Sequence, residues 1–129
     1  MWATLLQTVA TALRTALPAV VVETVADTPA PDVDTVYVLR GGSVEPSLFA
    51  ERGVENLILE CWSRDEVPAT ADLKLETLEN NVVAALRGLP HTGPMISLSF
   101  TGIDPDGDIF RPNVGSRIYL TIAWRVVPV

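Results

Sequence analysis

Few residues of this chain are of the types that carry out catalysis. The sequence has one histidine, His91, and one cysteine, Cys61, so a serine or cysteine nucleophile would have to use this single imidazole as its base. His91 stands in a predicted loop, and no serine has the sequence context of a nucleophile elbow. We interpret His91 as a surface residue and expect that the protein is not an enzyme.

The residues that could hold a cofactor are equally sparse. Cys61 falls within an apolar strand pattern and has no second cysteine for an internal disulfide, which predicts a buried thiol. One histidine and one cysteine leave a zinc site two ligands short. Gly41 and Gly42 lack the lysine and glycine spacing of a phosphate-binding loop. We expect no metal, nucleotide or other cofactor.

An acidic run at residues 104–108 contains Asp104, Asp106 and Asp108, whose alternate carboxylates could converge on calcium. The run does not fit an EF-hand, which needs glycine at its sixth position, because Gly107 is at the fourth. Aspartate and glycine also favour tight turns between strands. The sequence favours a turn, and it leaves open whether this turn holds a divalent cation.

Length and composition favour one domain, residues 1–129, with partners. The chain has 129 residues, of which 48% are hydrophobic and 19% are charged, whereas roughly 25% is usual for charged residues in soluble domains. This deficit suggests apolar surface that other subunits cover. The net charge of −7 disfavours a protein that grips nucleic-acid phosphates.

Membrane insertion and secretion are not expected. The longest apolar run, residues 19–22, is far shorter than the ~20 residues that a membrane span requires. No positively charged stretch precedes the apolar residues at the start of the sequence, as a signal peptide would require.

Hydrophobic periodicity predicts an α+β fold in which a mixed, mostly antiparallel sheet packs with two main helices. The first half of the chain predicts, in order, a helix at residues 2–17, a strand at 19–24, an exposed loop at 27–32, a strand at 35–40, and a long connection at 41–53. Apolar side chains on both faces of the strand at 35–40 predict burial on both sides.

The second half gives clearer signals. A strand is predicted at residues 56–63, then a helix with an apolar stripe from Leu75 to Leu89, with Thr70 or Asp72 as N-cap and Gly88 as the stop. The next strand is expected to direct Ile96, Leu98 and Phe100 inward. The last strand, residues 117–127, is expected to be the longest, and central or nearly so.

Trp62 lies on the strand face opposite the apolar one and is followed by Arg64, Asp65 and Glu66. Aromatic residues and arginine are enriched at the centres of protein interfaces. This strand end is therefore a candidate subunit contact. The alternative is that a second layer of the same domain covers Trp62. Trp124, in contrast, falls on the inward face of the last strand and is expected in the core.

The order of these segments resembles the tail terminator proteins of long-tailed bacteriophages, the minor tail protein U family. The resemblance covers almost the whole chain and lies in order and spacing. It rests on the N-terminal helix, the following strand, the strand-to-helix passage, the acidic turn and the C-terminal strand, at residues 5–13, 35–39, 57–68, 104–108 and 118–124.

The resemblance implies a structural virion protein at the head-proximal end of the tail, assembled in the cytoplasm of the bacterial host. Such a protein forms a ring, typically a homohexamer, that caps the tail tube, ends tube polymerisation and offers a surface for head joining. Its partners are copies of itself, the tail tube protein and a head-completion or connector protein, while DNA passes through the lumen without specific binding. The expected subunit contacts are Trp62, Arg64, Asp65, Glu66, Asp104, Asp106 and Asp108.

Two alternatives remain open from the sequence. The protein could be another head–tail connector, such as a head-closure or neck protein. It could also be a small-molecule-binding α/β domain, which would require a deep pocket with convergent polar groups near His91.

Overall fold

A computed structural model describes residues 1–26, 30–42 and 51–126. It confirms the α+β class and the single small domain: two helices and a mixed, mostly antiparallel sheet. The elements in chain order are α1 (Trp2–Ala16), β1 (Val21–Glu23), β2 (Thr35–Arg40), β3 (Arg52–Arg64), α2 (Pro68–Arg87), β4 (Met95–Pro105) and β5 (Asn113–Arg125). Neither helix is both long enough and apolar enough to cross a membrane.

The five-stranded sheet has the order β1-β2-β3-β5-β4. β1 and β2 are parallel, and the other neighbours are antiparallel. β3 and β5 pair along their whole lengths, from Arg52 opposite Arg125 to Arg64 opposite Asn113. β5 lies next to the central strand and is as long as it, 13 residues, which confirms the predicted position near the middle of the sheet.

Both helices pack on one face of this sheet, where every second residue of the inner strands is apolar. Leu57, Leu59 and Cys61 of β3 alternate with half-buried residues, as the two-residue period of a strand requires. The core holds the inward stripes of both helices and the facing strand residues: Leu5, Leu6, Val9, Ala10, Leu13, Val36, Val38, Leu57, Leu59, Cys61, Leu78, Val82, Leu86, Ile118, Leu120 and Ile122. The predicted buried thiol is confirmed, since Cys61 has no exposed surface.

The second face of the sheet, which we call the open face, has no helix or strand over it in residues 1–26, 30–42 and 51–126. Its side chains are mostly half-buried and mix apolar with polar and charged types, among them Ile58, Glu60, Trp62, Arg117 and Tyr119. Tyr37 is nevertheless almost fully buried on this face, which confirms that β2 is buried on both sides.

Two details of the helix and strand predictions are wrong. Neither Thr70 nor Asp72 caps α2, because the helix begins earlier, at Pro68 after the N-cap Val67. Proline suits this first turn, where its missing N–H has no intrahelical acceptor. β1 is shorter than predicted, since the N–H of Val20 bonds the carbonyl of Leu17 in a turn after α1. The stop at Gly88 is confirmed.

The inward direction predicted for Ile96 is also wrong. A register shift between Met95 and Ser97 inserts an extra residue into β4. A bulge of this kind interrupts strict alternation, so Met95 is buried and Ile96 is 45% exposed. Leu98 and Phe100 face the helices as predicted and pack against the core.

The predicted connection at residues 41–53 ends sooner, because β3 already begins at Arg52. Residues 43–50 of that connection, and residues 27–29 of the predicted exposed loop, lie outside the described residues. Trp124 is half-buried and packs against the core cluster, as expected.

Candidate subunit-contact surface

The two contact regions predicted from the sequence meet at one end of the sheet. We call this the loop end and define it as residues 31–34, 64–67 and 106–112. The antiparallel pairing of β3 with β5 places Arg64 opposite Asn113, so the connection after β3 and the loop before β5 are neighbours. The N–H of Asp65 donates to the carbonyl of Pro112 at 3.3 Å.

Residues 31–34 join the same end through side chains. The Nδ2 of Asn113 donates to the carbonyl of Pro31 at 2.9 Å, and the hydroxyl of Ser63 donates to Asp34 Oδ1 at 2.9 Å. Asn113 and Ser63 are both buried, and a buried polar group is costly unless it is hydrogen-bonded. These bonds therefore hold the segment firmly against the ends of β3 and β5.

Asp65 is committed to the start of α2. Its carboxylate accepts the N–H of Val67 at 2.9 Å and lies 2.9 Å from Lys74 Nζ. The hydrogen bond from Lys74, followed by that from Val67, lowers the pKa of Asp65 below 3.8. The same contact raises the pKa of Lys74 above 10.5. The role predicted for Asp65 thus includes fixing the chain direction into the helix.

Arg64 and Glu66 lie at the surface as expected. Arg64 pairs with Asp32 at 3.1 Å and with Glu66 at 3.4 Å, and the two carboxylate side chains are 85% and 81% exposed. Exposed ion pairs contribute little to stability because water screens them and the side chains lose conformational freedom. These groups can exchange their partners at low cost when another surface approaches.

The acidic run forms a turn, as the sequence favoured. Asp104 and Pro105 belong to β4 and are exposed. Asp106 closes the turn, because its Oδ1 accepts the N–H of Asp108 at 3.1 Å and its N–H donates to Gly115 at 2.9 Å. Within the described ranges, no cluster of three or more histidine, cysteine or acidic side chains is arranged to hold a metal ion.

Arg117 connects this turn to the open face. Its Nη2 lies 3.6 Å from Asp106 Oδ2 and its Nε lies 3.8 Å from Glu60 Oε2. The Asp106 side chain is only 7% exposed, so it offers little carboxylate surface to a partner. Of the three aspartates predicted as contacts, Asp104 and Asp108 are the accessible ones.

Trp62 lies on the open face, half-buried, with its ring edge-on to Tyr37 at a centroid distance of 6.4 Å and an interplanar angle of 87°. Aromatic pairs in this T-shaped arrangement are worth about 0.5–1.5 kcal/mol beyond their burial. The second layer that the sequence left open as a cover for Trp62 is not formed by any helix or strand in the described ranges.

Sequence reasoning missed Phe110, the most exposed of the large hydrophobic residues in the described part, at 83%. The loop around it is anchored: Arg111 lies 2.9 Å from Asp72 and donates to the carbonyl of Pro68 at 3.1 Å. The N–H of Asn113 donates to the carbonyl of Phe110 itself at 3.1 Å. The available signal was a large aromatic residue just after a turn motif and outside any periodic pattern.

The residues considered for chemistry are placed apart. His91 is exposed in the α2–β4 connection, as predicted. Burial raises the pKa of the Cys61 thiol to about 12, so Cys61 is protonated and inaccessible. The widest described groove, about 720 Å³, is open to solvent along α1 and does not have His91 among its lining residues.

Comparisons with known proteins give one structural match and no family. No protein-family model matches this sequence, and no curated protein matches it. Among solved structures, the chain is similar to a chain of "Virion of native gene transfer agent (GTA) particle", with a TM-score of 0.60 and 14% sequence identity. The superposition covers 94% of this chain and 94% of the other. At this identity the match concerns the fold.

Proposed function

We propose that this protein is a structural virion protein of a phage or phage-like particle, and that within the particle it is the tail terminator. In this role, copies of the chain form a ring, a homohexamer as in the family it resembles, on the head-proximal end of the tail tube. The ring ends tube polymerisation and presents the surface to which the head joins. The protein catalyses no reaction.

The observation that carries this proposal is the whole-chain similarity of fold to a chain of a gene transfer agent virion. The match extends over 94% of both chains, so it includes both helices, the sheet and the loop end. It agrees with the order of segments that resembles tail terminators in the sequence.

The surface of the molecule supports an assembling role. An open sheet face with a half-buried tryptophan and a loop end with Phe110 exposed both offer apolar area that a monomer leaves in water. Carboxylates outnumber basic side chains over the whole chain, with a net charge of −7. This charge suits a ring through which DNA slides without binding, since phosphates are repelled by like charge.

The proposal is tested by removing the gene from the phage or prophage that carries it and by measuring the tails in electron micrographs. A terminator's absence leaves tubes of uncontrolled length, and the gene supplied in trans restores one length. Tubes of normal, uniform length without the protein would contradict the assignment.

The same experiment distinguishes the second candidate, a head-closure or neck protein, which the fold match supports equally because it names only the particle. A protein on the head side of the junction leaves tube length unchanged when it is absent, but heads and tails then accumulate separately. Light scattering of the purified protein, with electron microscopy of the particles formed, reports ring size in parallel.

A further inference from the structure

We propose that neighbouring copies of this chain contact each other head to tail, with Phe110 of one copy seated in an apolar groove beside β1 of the next. The inference rests on the proposed function, which requires self-association, and it names the contact that produces it. The two halves of the contact are separate features of the described structure.

Phe110 has the properties of a docking residue. Its side chain is 83% exposed, although the residues beside it in the chain are fixed. Arg111 is held by Asp72 and Pro68. Ile109 occupies the space above Gly115, where an added Cβ would collide with it. An aromatic side chain on an anchored loop loses little conformational freedom on binding, and such residues dominate interface energies.

The groove lies at the opposite edge strand of the sheet and has a volume of about 460 Å³. We call it the β1 groove. Buried Thr35 and Tyr37 line it together with Val21, Val25, Pro31 and Val33. The three valines are 40%, 60% and 54% exposed, which is apolar surface that the isolated subunit leaves in contact with water.

The edge strand itself is not available for strand addition at its centre. Arg14 donates from Nε and Nη2 to the carbonyl of Val22, at 3.1 and 2.9 Å. An accepted carbonyl at an edge strand blocks the ladder that another strand would extend. A partner at this edge is therefore expected to bind through side chains in the groove.

Position and charge identify a second copy of this chain as the occupant. β1 and β4 are the two edges of the sheet, and the loop with Phe110 connects β4 to β5. A contact between two different patches of identical subunits continues from copy to copy and closes into a ring when the rotation permits. Glu23 lines the groove and has no ion pair in the described part of the chain, whereas Arg111 lies beside Phe110, so their charges are complementary.

The test measures self-association of the full-length chain by light scattering and sedimentation for Phe110→Ala, Val33→Ala and the double variant. Because both side chains are exposed, each variant is expected to keep the unfolding temperature of the wild type. The expected result is association weakened about 10- to 100-fold by Phe110→Ala. The double variant is expected to be no weaker than the sum of two contacting residues allows, that is, the effects are not additive.

Leu73→Ala is the matched control, since Leu73 is 65% exposed and belongs to neither half of the contact. Association of Phe110→Ala equal to that of Leu73→Ala, or strictly additive effects of Phe110→Ala and Val33→Ala, overturns the proposed contact. If wild-type protein caps tail tubes while Phe110→Ala caps them equally well, only the contact is wrong. If the wild type neither associates nor binds tubes, the proposed function is wrong as well.

Discussion

Gly115→Ala is a small change that tests how the structure holds the Phe110 loop. Gly115 lies in β5 opposite Trp62. A Cβ at this position would overlap the end of the Ile109 side chain and come within 2.9 Å of the Cys61 carbonyl oxygen. Ile109 could rotate away, but Cys61 belongs to the backbone of the central strand and cannot move without disturbing two ladders.

The magnitude follows from two opposing terms. Inserting a methyl group into a filled site costs about 1–3 kcal/mol. Alanine also restricts the unfolded chain more than glycine does, which returns about 0.4–1 kcal/mol. We therefore expect Gly115→Ala to lower the free energy of unfolding by about 1–2 kcal/mol, and the midpoint of thermal unfolding by about 3–8 °C in a domain of this size.

Gly102→Ala is the matched control in the same sheet. Gly102 lies in β4 opposite Tyr119, and an added Cβ would meet a Tyr119 ring atom at 3.8 Å, an ordinary van der Waals distance. Neither glycine has a positive φ. We expect Gly102→Ala to be neutral or stabilising by less than about 1 kcal/mol.

Urea unfolding followed by tryptophan fluorescence measures both variants against the wild type. If Gly115→Ala is as stable as Gly102→Ala, the described space around Gly115 is wrong, and with it the reasoning that Ile109 fixes the loop. Gly115→Ala is also expected to weaken self-association beyond its effect on stability, because displacing Ile109 displaces the neighbouring Phe110.

Two further predictions concern ionisable groups. The pKa of Asp65 is lowered in the folded state, so its contacts stabilise the protein above the ordinary value of 3.8 and are lost as the pH falls through the folded pKa. Asp65→Asn is therefore expected to be less stable than the wild type at pH 7, with the difference shrinking below about pH 4 in urea unfolding curves; a difference that is constant with pH would refute this role. The Cys61 thiol, with its pKa raised from 9.0 to about 12, is expected to react with a chromogenic disulfide reagent at pH 8 at least about a thousandfold more slowly in the native protein than in denaturant. Equal rates would show that the core opens readily around β3.

Much of the fold could be predicted from local patterns. The helices, β2 and the inward residues of β3 and β5 follow from periodicities of 3.6 and 2, because burying one face of an element requires an apolar residue at each return to that face. The loss of alternation at Ile96 could not be predicted, since a bulge arises from the pairing of β4 with β5 and leaves no residue signature at that position.

The sequence by itself determined the α+β class, the buried Cys61, the acidic turn and the shortage of catalytic groups, all properties of residue type and local spacing. Only the tertiary structure decided that Trp62–Glu66 and the acidic turn lie at the same end of the sheet, and that Phe110 stands exposed on an anchored loop. Residues 31–34 join that end through hydrogen bonds to residues far along the chain. Such neighbours are set by strand order and register, which depend on how all elements bury their apolar faces together.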